Sequence, residues 1–188
     1  SRLQRGRYTR DSLPLSRGLG GGKTPIFTQL NSNEFINYKH KENAFHDYYV
    51  QHLLLRQYSR SGPCFAIGNI NENPENEIFI GGAKGTDGHF FSPIGRDAIN
   101  RVSTSGESTD ALLFDADNDG DNDLYIVMGG SESKAESEAY QDELWLNDGI
   151  GNFTKTSENL PKTTASGACV VGADFDQDGD TDLFVGGR

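Results

Sequence analysis

Ten aspartates of this 188-residue chain fall in two nine-residue windows, Asp115-Ala116-Asp117-Asn118-Asp119-Gly120-Asp121-Asn122-Asp123 and Asp174-Phe175-Asp176-Gln177-Asp178-Gly179-Asp180-Thr181-Asp182. Both read DxDxDGxxD, a pattern that average residue usage produces with odds on the order of one in a million per position. Carboxylates at alternate residues of a tight loop turn inward together, and Ca²⁺, a hard cation, takes about six to eight oxygens. Glycine at the sixth position permits the sharp turn. The expected side-chain ligands are Asp115, Asp117, Asp119 and Asp123 in one window and Asp174, Asp176, Asp178 and Asp182 in the other. Asp121 and Asp180 would offer backbone carbonyls, and the last aspartate of each window would bind through both oxygens. Magnesium fits less well, because it keeps several of its waters. Without metal the crowded carboxylates raise one another's pKa and the loop loosens.

A third window has the same layout with weaker chemistry. Asn69, Asn71, Asn73, Pro74 and Glu77 stand where Asp, Asp, Asp, Gly and Asp would be, which predicts a turn with a weak or absent cation. Each window sits between short apolar runs rich in β-branched and aromatic residues, so these are loops between strands and not the opening helix pair of a calcium switch.

The segments that position the loops repeat. Ser61-Gly62-Pro63-Cys64-Phe65-Ala66-Ile67-Gly68-Asn69 lines up with Ser166-Gly167-Ala168-Cys169-Val170-Val171-Gly172-Ala173-Asp174. The strands after the loops end alike, in Ile78-Phe79-Ile80-Gly81-Gly82, Leu124-Tyr125-Ile126-Val127-Met128-Gly129-Gly130 and Leu183-Phe184-Val185-Gly186-Gly187. Glu143–Asp148 and the stretch after Asn152 add two strands to the middle copy. Four strands per repeat of roughly 45 to 60 residues is the signature of a propeller blade. The expected fold is therefore all-β, a partial β-propeller of about three blades, with repeats near 61–105, 108–160 and 165–188 inside a segment of 33–188. Residues 1–32, basic through Arg5, Arg7, Arg10 and Arg17 and glycine-rich at 18–22, read as an arm or linker. Gly22-Lys23-Thr24 fails as a phosphate loop, because Arg17 stands where its first glycine belongs and Pro25 follows.

These motifs resemble the FG-GAP/VCBS repeats of integrin α-subunit heads and bacterial surface proteins. The wider text is similar to the ASPIC/UnbV-associated repeat family, to which cartilage acidic protein belongs. It includes His40-Lys41-Glu42-Asn43, Tyr140-Gln141-Asp142, Leu146-Asn147-Asp148-Gly149-Ile150-Gly151-Asn152-Phe153 and the closing Asp182–Arg188. The resemblance covers roughly residues 33–188. It implies a secreted or cell-surface location, outer-membrane associated in a bacterium, and a ring of about seven blades. This chain would then be a fragment that needs blades from a longer chain or from other chains.

The formal net charge of −11 excludes a general nucleic-acid binder. No apolar run is long enough to cross a bilayer. Cys64 and Cys169 read as buried free thiols, with a bridge between them as the alternative. No HExxH, GxSxG or paired-cysteine motif occurs. His40, His46 and His52 read as ordinary surface or packing histidines, and Trp145, Tyr125 and Tyr140 as core aromatics rather than a sugar platform. Asn152-Phe153-Thr154 is a glycosylation sequon. Two function classes follow. The leading one is a non-catalytic calcium-binding surface module that binds protein or glycan. The alternative is part of a secreted, calcium-dependent polysaccharide-degrading enzyme of a lyase-like kind.

Overall fold

A computed structural model describes residues 36–55, 57–93, 98–156 and 160–187. The basic arm and Gly22-Lys23-Thr24 lie outside the described residues. All described residues belong to one compact unit, Ser32–Arg188. The architecture is all-β, and the described helical elements are 3-10 turns of three residues.

Strands β1 (Phe65–Gly68), β2 (Glu77–Ile80), β3 (Gly88–Phe91) and β4 (Ala98–Val102) form an antiparallel four-stranded sheet in sequence order. Strands β5 (Glu107–Phe114), β6 (Asp123–Gly129), β7 (Glu143–Leu146) and β8 (Thr154–Thr156) repeat this meander, and β9 (Gly167–Ala173) with β10 (Asp182–Gly187) form a hairpin. The hairpin joins the second sheet through one parallel pairing, Gly129 with Gly167. Glycine is required there. A Cβ on Gly167 would overlap the Val127 side chain, and the Thr109 hydroxyl donates to the Gly167 carbonyl at 3.2 Å. The sheets do not close into a barrel.

The period-two alternation of each strand sends its side chains to two faces. Between the first and second meanders lie Cys64, Ala66, Phe79, Phe90 and Val102 on one side and Ala111, Leu124, Ile126 and Met128 on the other. Phe90 stacks on Phe153 with centroids 4.8 Å apart and packs against Phe79 at 5.0 Å. Between the second meander and the hairpin lie Tyr125, Val127, Leu144 and Val170, with Leu112 and Leu183 packed against them. Burying each of the larger side chains contributes about 2 kcal/mol. The same kind of face thus meets the next unit at both junctions.

An irregular stretch, residues 36–55 and 57–60, is tied to the loops at one end of the sheets. Buried Asp47 accepts from the Ser59 amide (3.2 Å), the Ser59 hydroxyl (2.8 Å) and the Ser131 hydroxyl. Asn43 Nδ2 donates to the Lys84 carbonyl and to Glu132 Oε2 at 2.9 and 2.7 Å.

Cys64 is buried and free, and burial pushes its thiol up to about 12. Cys169 is free but exposed, against the expectation that both would be buried. It faces away from the second meander, on the side of the hairpin that no described element covers.

Candidate metal centres

Strand register places the three loops in equivalent positions. The closing pairs are Gly68 with Glu77, Phe114 with Asp123, and Ala173 with Asp182. Each loop then runs nine residues, ending on the first residue of the returning strand. In all three, the amide of the second position donates to the carboxylate of the ninth. The distances are 3.2 Å from Ile70 to Glu77, 2.8 Å from Ala116 to Asp123 and 2.9 Å from Phe175 to Asp182.

The two acidic loops share further geometry. The sixth-position amide donates to the first aspartate, Gly120 to Asp115 at 3.0 Å and Gly179 to Asp174 at 3.2 Å. The seventh donates to the fifth, Asp121 to Asp119 and Asp180 to Asp178, both at 3.1 Å. The chain turns left-handed at Asn118 (φ 62°) and Gln177 (φ 65°), and again at Gly120 (φ 98°) and Gly179 (φ 101°). In the second loop backbone amides reach both oxygens of Asp115, from Asp119 and Gly120, and both oxygens of Asp123, from Ala116 and Asn147.

Carboxylate oxygens of Asp115, Asp117 and Asp123 lie within 4.8 Å of one another, as do those of Asp174, Asp176 and Asp182. Asp119, Asp121, Asp178 and Asp180 are in neither group. No histidine joins either group among the described residues, and no Lys or Arg there forms an ion pair with any of the ten aspartates. Three convergent carboxylates with no protein cation fit a divalent ion that takes oxygen ligands. Burial, then the charges of Asp119, Asp123, Asp117 and Asp115, push Asp121 up to about 6, and its Oδ1 is buried without a hydrogen bond. Burial also raises Asp123, against two backbone bonds that lower it. Asp180 is raised chiefly by its hydrogen bond with Asp178 and by that neighbour's charge. Among the described residues, no Lys or Arg pairs with this clustered negative charge.

The first loop is built differently. Asn71 Nδ2 donates to Glu77 Oε1 at 2.9 Å, while Asn69 Nδ2 donates to the carbonyls of Asn73 and, at 3.2 Å, Glu75. Side-chain amides here fill positions held by carboxylates in the other loops, and neither Glu72 nor Pro74 has positive φ. The first and second loops are joined. Asn122 Nδ2 donates to the Asn69 carbonyl (2.8 Å), Asn147 Nδ2 to the Ile70 carbonyl (3.0 Å), and the Asn147 amide to Asp123 Oδ1 (2.8 Å). Sequence reading passed over Asn147, whose signal was its place in Asn147-Asp148-Gly149, a turn former next to a strand.

The remaining candidates have separate partners. His40 lies between the Tyr38 hydroxyl (3.4 Å) and Glu42 (2.9 Å), His46 meets Gln57, and His52 meets the Tyr48 carbonyl. Burial raises Tyr38, which disfavours its phenolate. Tyr125 and Tyr140 are buried, with hydroxyls donated to Asp142 (2.9 Å) and to the Ser133 carbonyl (2.8 Å). Trp145 packs on the first core and donates to buried Glu143 at 3.0 Å.

A family model described as FG-GAP-like repeat matches residues 115–185, a stretch that opens on the first acidic loop and takes in the second. Repeats of this class are generally extracellular adhesion modules that mediate protein interactions. No curated protein matches the chain. No helix of the described residues is long and apolar enough to cross a membrane.

Proposed function

We propose that the chain is a segment of a calcium-binding β-propeller of the FG-GAP kind that serves outside the cell as a non-catalytic binding module. The two meanders are successive blades and the hairpin begins a third. The observation that carries this reading is the pair of three-carboxylate groups in register-equivalent loops, each held by the same amide bonds and matched by no cation among the described residues. Ca²⁺ at each group would draw on Asp115, Asp117 and Asp123 or on Asp174, Asp176 and Asp182. Asp119 and Asp178 would join after a side-chain rotation, and Asp121 and Asp180 would contribute carbonyls. The ion's role is to neutralise and stiffen the loop, and two bound ions lower the net charge to about −11 + 4 = −7. Further blades, from the same polypeptide or another, complete the ring, and the binding surface faces a protein or glycan at the cell surface. The ASPIC/UnbV resemblance belongs to this reading.

The test is a thermal melt of chelator-stripped protein against added CaCl₂. An ion that binds only the folded state adds about 2.7 kcal/mol per site at a hundredfold excess over its dissociation constant. The melting temperature is expected to climb with calcium and to climb less with magnesium. No response to either ion sinks the metal reading. Sustained release of unsaturated or reducing ends from an acidic polysaccharide would replace the binding module by the enzyme.

A further inference from the structure

The first loop, which lacks the acidic cluster, opens onto a cleft of about 410 Å³. That volume is in the range of small-molecule sites. Its walls come from four places: Asn71, Asn73 and Glu77 from the first loop, Ser92 after β3, Asn100 from β4, and Ile150 and Asn152 from the turn between β7 and β8.

The amides are held in place from behind. Buried Glu77 accepts from the Ile70 amide and from Asn71 Nδ2, which fixes Asn71. Asn100 Nδ2 donates to the Gly151 carbonyl, and Asn152 Nδ2 donates to Asp148 Oδ2 at 2.8 Å. Among the described residues, the Asn73 side chain and the Asn152 Oδ1 make no hydrogen bond. Ile150 is 67% exposed at the edge, and half-exposed Ile99 lies beside Asn100.

We propose that this cleft binds a neutral oligosaccharide. The Asn71 and Asn100 side-chain oxygens already accept the Asn73 and Arg101 backbone amides, so the Asn73 side-chain amide and the Asn152 oxygen beside its nitrogen are the groups that offer a donor and an acceptor side by side, which suits adjacent sugar hydroxyls. The two isoleucines provide apolar surface for the C–H face of a pyranose. The described lining holds no Lys or Arg, and the carboxylates of Glu77 in the wall and of Asp148 behind Asn152 disfavour uronates, sulfates and phosphates. Loops two and three gather carboxylates at their third and ninth positions, whereas the first loop turns Asn71 and Glu77 into the cleft wall. The inference deepens the binding-module reading by naming its ligand class, and it does not depend on a cation.

The experiment is a titration of the ¹⁵N-labelled full chain with neutral tetrasaccharides of glucose, mannose, galactose and N-acetylglucosamine, with a galacturonate tetramer as the charged control. At least one neutral sugar is expected to give saturable amide shifts at 70–73, 99–100 and 150–152, and the galacturonate none. Asn73→Ala and Asn152→Ala should each weaken that sugar about fivefold, and Asn73→Ala, whose side chain makes no hydrogen bond among the described residues, should leave the melting temperature unchanged. The proposal is overturned by no saturable shift from any neutral sugar at millimolar concentration, by shifts centred elsewhere, by preference for the galacturonate, or by full binding in both variants. A calcium titration of the same sample separates the claims. Calcium binding without a sugar response removes only the cleft, and a sugar response without calcium binding removes only the metal loops.

Discussion

Among single residues, the acidic loops stand apart because their charges work against the fold. Burial and four neighbouring carboxylates push Asp121 up to about 6, and burial raises Asp123 and Asp142. A carboxyl whose folded pKa exceeds its unfolded value binds more protons when folded, so its effect is to lower stability as pH rises between those values. The cation-free chain is therefore expected to melt higher at pH 5 than at pH 7, across a window from the ordinary value of 3.8 to about 6. Saturating calcium should remove or invert that order, because metal and proton compete for the same oxygens. Melts at both pH values, with chelator and with CaCl₂, check this. Asp47 has the opposite sign. Its pKa is lowered, with bonds from Ser131 and Ser59 outweighing burial, so its contribution is lost only as pH falls below the carboxylate range. The spacing of the aspartates was legible in the sequence. The roles of Asp47 and Asn147 were not, because each depends on a partner distant in sequence.

Among elements, the hairpin loops were the most readable because local chemistry alone dictates them. Asn or Gln at the fourth position and Gly at the sixth supply the positive φ values the loop needs. Gly120 and Gly179 show this cleanly, since a Cβ at either would meet nothing within 4 Å. Gly120→Ala should therefore cost only the backbone term, about 1 to 2 kcal/mol. It should also weaken calcium at the second loop while leaving the third unaffected, as read by urea melts and calcium titration of the variant. Equal loss at both loops would show that the glycine acts beyond its own turn. The strands flanking the loops were readable from their apolar alternation. Strands β3 and β4 were not singled out, because His89 and the polar run Asn100-Arg101 dilute the pattern. The exposed position of Cys169 was also misread, since its repeat partner Cys64 is buried by a neighbouring sheet that Cys169 lacks.

In the whole molecule, repetition leaves two unlike ends. Phe65 and Ile67 are exposed on β1, and Val171 and Phe184 on the hairpin, with Phe184 72% exposed. By register Phe184 corresponds to Tyr125 and Phe79, which are buried against the following unit, while Phe65 corresponds to Ala111 and Val170, which are buried against the preceding one. The open faces are thus the two halves of a contact the molecule already makes twice. A head-to-tail contact of this kind does not close on itself in a single pair. The isolated chain is expected to self-associate with rising concentration, and Phe184→Lys should reduce this in sedimentation velocity. A chain that stays monomeric at high concentration would contradict the equivalence of the faces. The repeat pattern made the stacked all-β organisation legible, and the family match over 115–185 agrees with it. The cleft was not legible, because it forms only where the first loop, β4 and the turn after β7 come together.

The most direct test is calorimetric calcium titration of the chelator-stripped chain alongside Asp117→Ala and Asp176→Ala. Two sites in the parent, with each variant keeping one and each folding as judged by its melt, is the predicted result. No heat of binding by folded parent protein, or two sites surviving in either variant, would reduce the acidic loops to solvated turns.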